Sequence, residues 1–64
     1  MIMAVKTPRN PEYHWIKFSV RTSRQPTERW LKKNCTGQFR RSGVTPKVWV
    51  AQHEDAVLIQ LAFA

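Results

Sequence analysis

In the stretch Tyr13-His14-Trp15-Ile16-Lys17-Phe18-Ser19-Val20-Arg21, apolar side chains recur at every second position. That period predicts a β-strand over Tyr13 to Arg21. Ile16, Phe18 and Val20 fall on one face, an ordinary core face, and His14 lies on the same side at its edge. Tyr13, Trp15, Lys17, Ser19 and Arg21 fall on the other. Half of that second face is aromatic and half is basic. A strand that simply faces water does not need aromatic groups there, so this face is the first candidate for function.

Beyond the strand, Thr22 to Gln25 reads as a polar link and Pro26 as the start of a helix, at the first helical position where its missing N–H costs nothing. Glu28 suits the positive end of the helix dipole. The helix is expected over Pro26 to Cys35. Thr27, Trp30, Leu31, Asn34 and Cys35 should face inward, and Arg29, Lys32, Lys33 and Thr36 outward. Glu28 and Lys32 form a favourable pair four residues apart. Gly37 is expected to stop the helix in the left-handed conformation. Gln38 to Ser42 is a weaker strand, Ser42-Gly43 and Thr45-Pro46 mark a turn, and Lys47 to Ala51 is a stronger strand with Val48 and Val50 on one face. The two should close an antiparallel hairpin.

Residues 56–64 fit two templates. Val57, Ile59, Leu61 and Phe63 alternate as a strand would, whereas Leu58, Leu61 and Ala62 suit a helix. Glu54 and Asp55 look like first-turn acids and Ala, Leu and Gln favour the helix, which is the reading preferred here. The fold class is then α+β, a small antiparallel sheet packed on one helix in the order β-α-β-β-α, with β-α-β-β-β as the alternative. The first order resembles a ferredoxin-like unit that stops before its final strand. To the left of Tyr13, residues 1–12 read as a basic flexible arm: Pro8 and Pro11 break regular structure, Asn10 suits a turn, and Lys6 and Arg9 carry charge. Residues 13–64 form the single small domain.

The chain has 64 residues and one cysteine, so neither a large core nor an internal disulfide can stabilise it. A core completed by a second copy, a homo-oligomer, is one way out. No apolar run has the length of a membrane helix, no secretory signal is legible at the N-terminus, and a lone cysteine fits a reducing compartment; the cytoplasm of a host cell is the expected location and no membrane partner is expected. The net charge is +7, and all eleven Lys and Arg lie between Lys6 and Lys47. A small body with that charge favours polyanions or an acidic protein surface.

Trp30, Asn34-Cys35-Thr36-Gly37, Phe39 and Glu54-Asp55-Ala56-Val57-Leu58-Ile59-Gln60-Leu61 together resemble small uncharacterised proteins encoded by tailed bacteriophages. The resemblance covers Trp30 to Leu61. It implies a phage or prophage origin and carries neither a reaction nor binding residues with it.

The chain offers no catalytic constellation. Cys35 has no base placed beside it in sequence, and a helix C-terminus raises a thiol pKa, so it reads as a packing residue. Cys35, His14 and His53 lack the spacing of a zinc site, Gly37 and Gly43 make no phosphate loop, and Glu54 and Asp55 are adjacent rather than opposed. No enzyme activity, metal or cofactor is expected. Two surfaces remain. The aromatic, basic sheet face would carry Tyr13, Trp15, Lys17, Arg21, Arg40 and Trp49, and could stack bases while its cations meet phosphates. The arm, the second helix or a second copy could instead cover it. The outer helix face with the hairpin could form a stripe of Arg29, Lys32, Lys33, Arg40 and Arg41, although Arg40 and Arg41 cannot share one face of a regular strand. The expected function is non-catalytic nucleic-acid binding by a phage accessory protein. The alternatives are a modulator or inhibitor that binds an acidic host protein, and a minor structural or assembly component.

Overall fold

The alternation that marks a strand survives only in the second half of its stretch. In the structure, a computed structural model that describes residues 2–6 and 9–63, β2 spans Phe18–Arg21. The residues before it turn instead. Asn10 caps a short 3-10 helix, Pro11–Tyr13, by accepting a hydrogen bond from the Glu12 N–H, and Pro11 supplies the fixed φ of the first turn. His14 and Trp15 continue the turn, so the strand expected from Tyr13 begins five residues later. His14, expected at the core edge, is exposed and bonds through Nδ1 to the carbonyl of Pro11 at 2.9 Å.

The segment read as an arm provides a strand. β1, Ile2–Ala4, pairs antiparallel with β2 in the register Ile2–Val20, Met3–Ser19 and Ala4–Phe18. Three residues are too few to show a period, and only the exposed edge of β2 recruits them. Met1, Thr7, Pro8 and Ala64, placed in the arm and in the last element by the sequence reading, lie outside the described residues.

β3, Phe39–Arg41, and β4, Lys47–Val50, form the expected antiparallel hairpin, and β4 also pairs with β2. The sheet order is β1-β2-β4-β3, all antiparallel. The element order is β-β-α-β-β-α rather than β-α-β-β-α. The seat beside β2 that a ferredoxin-like unit gives to its last strand is therefore filled, but by the first strand of the chain.

α1 spans Glu28–Asn34, shorter than expected. Thr27 is the cap, its hydroxyl accepting from the Trp30 N–H at 3.1 Å, so Pro26 stands before the cap and not at the first helical position. Pro26 is buried there. At the other end no described residue has positive φ: the cap is Cys35 in an extended conformation, and Gly37 does not take the left-handed form. A Cβ on Gly37 would lie 2.8 Å from Gln52 Cγ, so any other residue there would push the Gln52 side chain aside. α2 spans His53–Phe63, which decides residues 56–63 in favour of the helix. It begins at His53, with Glu54 and Asp55 in its first turn as expected.

Both helices cover one face of the sheet. Val20, Leu31, Val48, Val50, Ala56 and Ile59 are fully buried between the layers, with Ile2, Phe18, Trp30, Cys35, Phe39 and Phe63 packed around them. The rim is closed by polar ties. Thr22 donates from both N–H and Oγ1 to the Pro46 carbonyl at 2.8 Å, and Ser23 does the same to the Phe63 carbonyl at 2.8 Å. Phe63 also meets the Trp30 ring edge-on, with centroids 4.8 Å apart. Neither α-helix covers the other face of the sheet.

Candidate nucleic-acid interface

Because side chains alternate along a strand, the residues between the buried valines point away from the helices. The pairing aligns Met3, Ser19, Trp49 and Arg40 in one row across all four strands. Arg21 and Lys47 form the next pair along. Arg41, one residue beyond Arg40, opposes Val48 and falls on the helix side, as the strand period requires. It reaches Gln25 Oε1 at 3.4 Å.

The 3-10 turn folds back over one end of this row. It brings the Tyr13 ring beneath the Arg40 guanidinium, 4.1 Å from carbon to ring centroid. That distance is within the range of a cation–π contact, so the guanidinium is positioned over the ring before anything binds. Val5, Lys6, Tyr13, Ile16, Arg40 and Trp49 then line an open groove of about 360 Å³. Ile16, which the sequence assigns to the core, is buried but belongs to this groove and not to the cluster under the helices. The irregular backbone at residues 14–17 breaks the alternation and sends it there. Val5 is held in place by its N–H donating to the Lys17 carbonyl at 3.1 Å. The groove is thus a hydrophobic slot with an aromatic wall and two cations at its rim.

The sequence candidates divide as follows. Tyr13, Arg40 and Trp49 meet in the groove. Lys17, just before β2, and Arg21, its last residue, are exposed and are not among the groove residues. Trp15 stays half-buried in the turn before β2 and is not among the groove residues. Arg29, Lys32 and Lys33 project from the outer face of α1, in the other layer, where Lys32 Nζ pairs with Glu28 Oε1 at 3.6 Å. The two surfaces drawn from sequence therefore have their centres on opposite sides of the sheet. Val5, Lys6 and Ile16 were missed as groove residues. Lys6 was visible as part of a basic segment, but nothing in the sequence tied that segment to the edge of β2.

Asp55, read from the sequence as a first-turn acid, is 2 % exposed. One carboxylate oxygen accepts from the Thr36 N–H at 3.0 Å and the Thr36 hydroxyl at 3.1 Å, and the other from the Gly37 N–H at 2.9 Å. It clamps the α1–β3 link to the start of α2. Burial, and then the charge of Asp55, push the Cys35 thiol up to about 11. The thiol is neutral near pH 7, and these two causes act where the sequence pointed to the helix end. Among the described residues no three His, Cys, Asp or Glu side chains gather as a metal site would require, and no helix is long and apolar enough to cross a membrane.

No family model, curated protein or solved structure matches this chain.

Proposed function

We propose that this protein binds nucleic acid without catalysis, through the open sheet face, as an accessory protein of the bacteriophage type its sequence resembles. The observation that carries the reading is the groove itself. Trp49 and Tyr13 offer π-surfaces, Arg40 lies over the Tyr13 ring, and Lys6 lines the groove beside them. An apolar slot with aromatic walls suits a base, and a cationic rim suits the phosphates on either side of it. A chain with net charge +7 adds long-range attraction for any polyanion.

The test is a titration with single- and double-stranded DNA and RNA at two salt concentrations, read by tryptophan fluorescence. Affinity for a single strand should fall log-linearly with salt, with a slope of about −0.7 per phosphate contact. Trp49→Ala should weaken binding by about 1–3 kcal/mol, the worth of one stacked base. Absence of binding at low salt, or binding that ignores Trp49→Ala, would overturn the proposal.

One observation favours a protein partner as the second reading. On α2, Leu61 is 79 % exposed and Leu58 38 %, with Ala62 beside them, in a segment that has no basic residue. Apolar groups at that spacing form a stripe on the helix, on the far side of the sheet from the groove. A chain that ignores every nucleic acid in the titration would move the emphasis to that stripe.

A further inference from the structure

We infer that a bound single strand leaves the sheet face, turns over the β3 edge and continues along the outer face of α1. The inference rests on the nucleic-acid reading above and specifies the path and the form of the ligand. The groove around Trp49 has only Lys6 and Arg40 among its lining cations. Four of the other cations, Arg41, Arg29, Lys32 and Lys33, line two further depressions. A second depression, about 330 Å³, lies at the β3 edge between Phe39, Arg40, Arg41 and Glu28. A third, about 550 Å³, runs along α1 between Glu28, Arg29, Lys32 and Lys33. Arg40 lines the first and the second, and Glu28 lines the second and the third. The three depressions make one track that wraps an edge of the sheet from its open face to its helix layer. The adjacent arginines that cannot share a face serve it for that reason: Arg40 points to the groove and Arg41 to the helix side.

The backbone at the edge fits the same path. The Ser42 N–H donates to Lys47 and the Ala51 N–H to the Gln38 carbonyl, so Arg40 is the residue whose main chain points at β4. The main-chain groups of Phe39 and Arg41 point outward, along the track, where an N–H can meet a phosphate oxygen. The turn also selects the ligand. Duplex DNA bends over a persistence length of about 50 nm, whereas the whole protein measures 28 × 21 × 18 Å. A duplex would have to be sharply bent, at a cost, to follow a track that wraps so small a body; a flexible single strand would not.

Glu28 makes the path testable, because it is the one carboxylate on the track and it holds Lys32 at 3.6 Å. Replacing it removes repulsion and frees a lysine. Glu28→Gln should tighten binding of an oligothymidylate of about a dozen nucleotides, a length single-strand binders commonly cover, by roughly two- to fivefold, the scale of one exposed charge pair. It should leave a thymidine dinucleotide, which reaches only the groove, unchanged. Lys32→Ala with Lys33→Ala should weaken the long strand and flatten its salt slope by about 0.7 per lost contact, again without effect on the dinucleotide. Amide chemical shifts give the path directly. The dinucleotide should move signals around Arg40 and Trp49, and the longer strand should add Phe39, Arg41 and the α1 amides. If Trp49→Ala weakens both ligands while the α1 variants and α1 signals respond to neither, the path is wrong and the groove stands. If Trp49→Ala weakens neither, the groove reading itself fails.

Discussion

Asp55 shows how much a single side chain can decide. It is buried, and its two oxygens satisfy the hydroxyl and N–H of Thr36 and the N–H of Gly37. Removing an acceptor strands those donors, and hydrogen bonds to a charged group are the costly ones to lose. Asp55→Ala should destabilise the fold by roughly 2–3 kcal/mol, a large share of what a domain of 64 residues holds. Asp55→Asn should destabilise it too, because its amide nitrogen would face an N–H donor. Urea unfolding checks both, and a parental midpoint in either variant would contradict this role. None of this was legible beforehand. Position relative to its own helix makes Asp55 a first-turn acid, and only the chain returning from α1 supplies its partners. Gly37 was misread for the same reason: its spacing suited a left-handed stop, whereas what it supplies is room beside Gln52. Cys35, by contrast, was legible as a packing residue and does pack against the core cluster, although burial and Asp55 rather than the helix end push its thiol up.

The elements were legible where a period is long enough to read. The hairpin of β3 and β4 and the inner face of α1 follow from the placing of Val48, Val50, Trp30 and Leu31, and α2 from its acidic start and helix-favouring residues. The alternation from Tyr13 to Arg21 was over-read, because Asn10 and Pro11 organise a turn whose effect reaches to Trp15. β1 was missed because its three residues carry no pattern of their own and gain strand character only from β2. That origin leads to a measurement. Met3 occupies a hydrogen-bonded pair with Ser19, since the Val5–Lys17 bond two residues on fixes the alternation. Its side chain is 60 % exposed, so a substitution there acts through the backbone. Met3→Pro should cost roughly 1–2 kcal/mol in urea unfolding and speed amide exchange at Ser19. A flexible arm would leave both unchanged.

At the scale of the whole molecule, charge works against the fold and for the proposed ligand. Eleven cations oppose four acids, and one of those acids, Glu28, is paired with Lys32 at 3.6 Å. The radius of gyration is 10.6 Å, close to the screening length of about 10 Å at 0.1 M salt, so at low salt most of the cations repel one another through the body of the protein. Raising sodium chloride to about 1 M, where the screening length is about 3 Å, should raise the melting temperature while it weakens nucleic-acid binding. A melting temperature that falls with salt would mean that attraction, not repulsion, dominates the charge pattern. The surplus of charge was plain in the sequence, but its course around the β3 edge was not, since it depends on which faces Arg40 and Arg41 take. The placing of β1 has a consequence of a different kind. Ile2 lies opposite Val20, and the Phe63 carbonyl is bonded to Ser23 a few residues further along the same strand and its exit. The first and last described parts of the chain thus meet at one end of β2, while the groove opens toward the other. The two described ends are near enough to be joined, so a circular permutant that begins at β2 and carries β1 behind α2 through a short linker should build the same ladder.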